Sequence, residues 1–208
     1  MNQFEERFGR RISAFWDDGE GQDQLVQDVR DYANANPAQF VSEFNEVRFK
    51  EGSNYMSVVL EALSKDADKW GNFYVEQLDA ILKAAAGTDD PGEILGNLTD
   101  LAYIEDETGP FVQRIADRLY REMESDDINI QMAAIWVLPD FIENPVIRNR
   151  SAMIAALQEK LNDANWKVRY VAHRSLGYSK LHPPGYRQRF TDKLRRMLHG
   201  NPLPGLVI

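Results

Sequence analysis

The chain has 208 residues, 43% of them hydrophobic and 27% charged, with a net charge of −9 and no cysteine. It is long enough for a sizeable core, as one domain or two small ones, and its composition is that of a globular protein. The lack of cysteine excludes a disulfide framework, a thiolate metal site and a cysteine nucleophile, and fits a reducing compartment.

Residues 2–16 place Phe4, Phe8, Ile12 and Phe15 on one helical stripe. The loop 17–23 is acidic and contains glycine, but its acids do not stand at calcium-loop positions. Residues 24–35 predict a helix with Leu25, Val26, Val29 and Tyr32 inward. Asn36 then caps and Pro37 opens a short helix carrying Phe40, Val41, Phe44 and Val47. Helices follow over 55–63 and 70–86.

Residues 88–93 hold the clearest start signal. Asp90 is placed to cap, Pro91 to take the first helical position and Glu93 to fold back on the cap. Ile94, Leu95, Leu98, Leu101 and Ala102 form that helix's apolar face. Gly109-Pro110 starts the next, with Phe111, Ile115, Leu119 and Met123 inward.

A segment then repeats itself thirty-eight residues apart, 123–138 over 161–176. Met123 falls on Leu161, Ile128 on Trp166, Ile130 on Val168, Ala134 on Ala172 and Leu138 on Leu176. Helices are expected over 151–161 and 166–178. Pro183-Pro184 breaks the chain, residues 186–198 form one more helix, and the tail 201–208 is not regular helix beyond Pro204. No stretch alternates with period two. The chain therefore predicts an all-α protein of about eleven helices: an α-solenoid of about five stacked hairpins.

The last full repeat resembles a HEAT repeat. Its residues are Leu157, Leu161, Asp163, Trp166, Val168-Arg169, Ala172 and Leu176-Gly177. The copy at 123–138 keeps the apolar skeleton, with Ser125 at the Asp position and Gln131 at the Arg position. One period further back, 81–101 keeps the hairpin outline, with Gly96 at the small position. The resemblance is clear for roughly residues 110–200. It implies one α-solenoid domain over 1–208: atypical helices to 65, HEAT-like hairpins over 66–200, and a tail. Each hairpin would cover its neighbour's apolar face, with Ala134 and Ala172 allowing close approach.

The charge is divided. Residues 1–145 hold 30 acids against 12 bases, −18; residues 146–208 hold 3 against 12, +9. Such asymmetry marks an interaction surface. Residues 1–15 are charged throughout, unlike a signal peptide, and the longest apolar run, 132–139, is too short to span a bilayer, so a cytoplasmic location is expected.

Sites for chemistry are sparse. None of His173, His182 and His199 lies three or four residues from another, so no metal or cofactor is expected. The pairs Asp17-Asp18, Asp89-Asp90 and Asp126-Asp127 each precede a helix and are expected to cap it. There is no phosphate-cradling glycine motif and no nucleophile elbow.

The basic end is the strongest feature. Lys167, Arg169, Arg174, Lys180, Arg187, Arg189, Lys193, Arg195 and Arg196 are interleaved with Trp166, Tyr170, Tyr178, Tyr186 and Phe190. We expect a non-catalytic scaffold that docks a protein partner with an acidic surface, or the acidic half of a second copy. Trp166, Lys167, Arg169 and Arg174 are the expected contact residues. The alternative is nucleic-acid binding.

In length and helix content, and in its Trp, Asp and Arg, the chain also resembles alkylpurine DNA glycosylases of the HEAT-like class. That resemblance implies catalytic roles for Trp136 and Asp140, one turn apart, with Arg169 or Arg174 in the next repeat. An Asp beside a base-stacking Trp would stabilise a cationic sugar. That class is usually basic overall, and this chain is acidic. Pro139 and Asp140 are otherwise expected to bend or end the helix.

Overall fold

The computed structural model describes residues 2–14, 21–49, 54–88, 91–103 and 109–179. Among these there is helix and no strand. The helices are α1 (Gln3–Ser13), α2 (Gln22–Ala35), α3 (Pro37–Val47), α4 (Asn54–Ser64), α5 (Ala67–Ala86), α6 (Gly92–Asp100), α7 (Gly109–Glu122), α8 (Ile128–Glu143), α9 (Arg150–Lys160) and α10 (Trp166–Tyr178). A 3-10 turn, Leu101–Tyr103, follows α6. The helix expected over 186–198 lies outside the described residues. None of the described helices is long and apolar enough to cross a membrane.

The helices stack in two layers, as a solenoid-like series of hairpins. The even-numbered helices pack in succession, α2 on α4, α4 on α6, α6 on α8 and α8 on α10. On the other side α1 packs on α3 and α5 on α7, while α9 closes against α8 and α10. Ala134, Leu138 and Ala172 are fully buried between layers, Leu176 is 1% exposed, and Leu161 packs half-buried against the core.

The N-terminal half builds its core from rings. Phe40 lies 5.6 Å from Phe4, 5.9 Å from Phe44, 5.5 Å from Trp70 and 6.1 Å from Phe73, centroid to centroid. One side chain of α3 thus joins α1 to α5. The helix expected from residue 70 begins at Ala67 instead, with Asp66 at its N-cap position. Asp66 turns its carboxylate to Arg30 on α2, Oδ2 to Nε at 2.6 Å, and accepts from Asn34 at 2.7 Å.

The Arg30 hydrogen bond holds the Asp66 carboxyl down at about 2. A carboxylate lowered on folding adds stability above its unfolded pKa, and that share is lost as pH falls from about 4 toward 2. Asp66→Asn should therefore cost about 1–2 kcal/mol at pH 6 and little at pH 2. Thermal melts of both proteins across that range check it; a gap that does not narrow in acid would contradict the assignment.

The two repeat copies share the hydrogen bonds that cap their second helices. In the first, Asp127 N–H donates to Ser125 Oγ at 3.3 Å and Asp127 Oδ1 accepts from Asn129 N–H at 2.9 Å. In the second, Asn165 N–H donates to Asp163 Oδ1 at 2.8 Å and Asn165 Oδ1 accepts from Lys167 N–H at 2.9 Å. These are N-caps, each held by the side chain two residues earlier. Gln131 and Arg169 also match. Gln131 Nε2 donates to the Met123 carbonyl at 2.7 Å; Arg169 Nη1 donates to the Asp163 and Ala164 carbonyls at 2.7 and 2.9 Å. Both tie a helix back to its own turn. Across the copies the tie is Lys160 Nζ to Glu124 at 2.8 Å.

Three expectations change. Gly96 is exposed, and a Cβ there would meet nothing within 4 Å, so it is not the small buried position of an earlier copy. Pro91 stands at the N-cap position of α6 and not at its first helical position; Asp90 lies outside the described residues. Helix α8 does not end at Pro139 but runs on to Glu143. A proline inside a helix costs about 3 kcal/mol. Leu138, Phe141 and Ile142, all fully buried, offset it at about 1.5–3 kcal/mol each.

Candidate docking face on α8 and α10

Helix α10 buries Val168, Ala172 and Leu176. Its opposite side keeps Trp166 58% and Tyr170 38% exposed, with Lys167 and Arg174 also exposed. At about 100° per residue, Trp166, Tyr170, Arg174 and Lys167 fall within about 100° of arc. Arg169 falls outside that arc, and its Nη1 is engaged in the turn before α10. His173 is half-buried. The basic and aromatic positions from Lys180 onward lie outside the described residues, as do His182 and His199.

Helix α8 presents a matching stripe of Asn129, Met132, Trp136, Asp140 and Glu143, again within about 100° of arc. The Arg174 guanidinium carbon sits 5.3 Å from the Trp136 ring centroid, a cation–π contact, and Arg174 Nη1 donates to the Tyr170 hydroxyl at 3.3 Å. An open cleft of 380 Å³ lies beside this pair. Ala85 and Ala86 at the end of α5, Leu95 of α6, Met132 and Ala133 of α8 and Val171 of α10 form its apolar walls. Among the described residues Thr88, Asn129 and Arg174 are its polar members. A mostly apolar cleft with a few convergent polar groups is the usual form of a binding site.

One turn beyond Trp136, Asp140 is half-buried and accepts a hydrogen bond from the Tyr103 hydroxyl at 2.9 Å. Burial pushes the Asp140 carboxyl up; the Tyr103 bond opposes this, and Glu143 adds to it. Burial, Asp140, Glu143 and Asp100 together raise the Tyr103 phenol to about 12. The face is therefore polarised. Carboxylates gather at its α6–α8 side, and cations with aromatic rings line its α10 side.

The structure brings Trp136, Asp140 and Arg174 onto one face and keeps Trp166 and Lys167 on its α10 edge. Of the capping pairs, Asp127 caps α8, while Asp17-Asp18 and Asp89-Asp90 lie outside the described residues. No group of three His, Cys, Asp or Glu able to hold a metal occurs among the described residues.

Sequence reasoning missed Tyr103 and the α5–α6 wall of the cleft. A signal for the Trp136–Arg174 contact was present. The two residues hold the same position in successive repeat copies, so stacking puts them side by side.

No family model matches the chain, and neither a curated protein nor a solved structure matches it.

Proposed function

We propose that this protein is a non-catalytic docking module of HEAT-like type, working in a reducing, cytoplasmic setting. It binds an acidic surface of a partner protein through the α8–α10 face. Trp166, Lys167 and Arg174 are its contact residues. The observation that carries the reading is the exposure of two aromatic rings and two cations on a single stripe of α10. Exposed tryptophan and arginine beside a cleft are typical of interface hot spots.

The test is affinity capture from the native host with quantitative mass spectrometry. It compares the unaltered protein with Lys167→Glu/Arg174→Glu and with Arg114→Glu on the opposite layer. The α10 variant should lose its partner at least tenfold, and the binding left should depend less on salt. Equal capture by all three would remove the assignment.

A second reading rests on the side-by-side placement of Trp136, Asp140 and Arg174, the trio a glycosylase-like enzyme would use on an extruded base. Binding of single- and double-stranded DNA at low salt, followed by a salt titration, separates the two readings. The docking reading is preferred because Asp100, Asp140 and Glu143 repel a phosphate chain, which carries charge along its whole path across the face, whereas a protein partner can set its carboxylates against the α10 edge alone.

A further inference from the structure

We infer that the cleft walled by α5, α6, α8 and α10 is an anchor pocket for a short acidic segment of the partner, an inference that rests on the docking reading above. One aromatic or large aliphatic side chain of the segment enters the cleft. A carboxylate next to it meets Arg174, and a second, three residues along, meets Lys167.

The chemistry follows from the lining. Most of the wall is apolar, so the entering group is apolar. Among the described lining residues Arg174 is the one cation; its guanidinium carbon stands 5.3 Å from the Trp136 ring centroid and its Nη1–H is donated to Tyr170. A guanidinium positioned by a ring and a hydroxyl carries further N–H donors, and its planar fork suits two-point pairing with a carboxylate.

The spacing follows from helix geometry. Lys167 and Arg174 are seven residues apart on one face, about 10 Å along the axis. Three residues of extended chain cover about 10 Å as well. Polarity sets direction: acids at the α6–α8 side turn the segment's carboxylates toward α10.

Other surface features lead elsewhere. The charged groove between α5 and α7 is closed on itself by pairs such as Arg118 with Asp79 at 2.6 Å and with Glu122 at 3.0 Å.

The experiment is selection of random dodecapeptides on the full chain. The enriched peptides are then synthesised and their affinity measured by fluorescence anisotropy. The proteins are the unaltered chain, Ala86→Leu and Thr88→Trp to fill the cleft, Arg174→Glu, and Arg114→Glu as control; circular dichroism confirms that each is folded. Enriched peptides should carry an aromatic or large aliphatic residue beside a carboxylate, with a second carboxylate three residues away.

Arg174→Glu and at least one filled-cleft variant should weaken binding tenfold or more, and Arg114→Glu should not. Basic or uncharged enrichment, no enrichment, or full binding by both filled-cleft variants would overturn the inference. So would displacement of the peptide by equimolar single-stranded DNA. Loss of the native partner with Lys167→Glu/Arg174→Glu but not with either cleft variant would leave the docking surface standing and remove the pocket. Retention by all of them would remove both.

Discussion

Phe40→Ala should lower stability by about 3–5 kcal/mol, the usual cost of emptying a ring-sized space in a packed core. For a chain of this length that is a fall in Tm of roughly 10 °C. The ring is fully buried and stands within 6.1 Å of four other aromatic rings. These belong to α1, α3 and α5, so the cavity would loosen three helices at once. Phe40→Leu should cost much less, because it keeps most of the volume. A loss below about 1 kcal/mol for the alanine variant would mean that the first hairpins do not share this core.

Gly71→Ala should also destabilise, although alanine is the better helix former by about 0.8–1 kcal/mol. A Cβ on Gly71 would lie 2.2 Å from Cδ1 of Phe111, and the whole ring edge is near it. Helix α7 approaches α5 too closely for any side chain there. Overpacking of this kind costs about 1–3 kcal/mol, which outweighs the propensity gain.

Gly96→Ala is the matched control. Its Cβ would meet open space in the middle of α6, so it should stabilise by about 0.5–1 kcal/mol. Denaturant melts of the two variants should move in opposite directions. In the background Phe111→Ala, Gly71→Ala should lose most of its cost. Parallel shifts for both glycines would contradict the close approach of α5 and α7.

Much of the architecture was legible in the residues. The repeat at 123–138 and 161–176 predicted two equivalent hairpins; their N-caps coincide, and the side chains at the matched positions Gln131 and Arg169 each bond back to a carbonyl of their own turn, though not the same one. It was legible because capping and turn chemistry depend on neighbours a few residues away. The N-terminal helices were legible as amphipathic stripes. Their shared ring cluster was not, because contacts such as Phe4 with Phe40 join residues far apart in the chain.

Gly96 misled for a similar reason. A glycine reads the same whether it faces a neighbouring helix or water. Pro139 shows the limit of local rules, since tertiary burial outweighs its helix-breaking tendency. At the candidate site, Trp136 and Arg174 were recoverable from the period alone. Tyr103 was not: it reaches Asp140 from a 3-10 turn that carries no pattern.

The most direct measurement is an NMR titration of the tryptophan indole N–H signals with an enriched acidic peptide. Trp136 carries Arg174 and Trp166 stands exposed on the same face, whereas Trp70 is buried in the ring cluster with its Nε1 donating to Asn34 at 3.1 Å. The signals of Trp136 and Trp166 should shift on binding while that of Trp70 stays fixed. Movement of Trp70 with Trp136 and Trp166 unchanged would show that ligands approach elsewhere, and the α8–α10 face would no longer be the working surface.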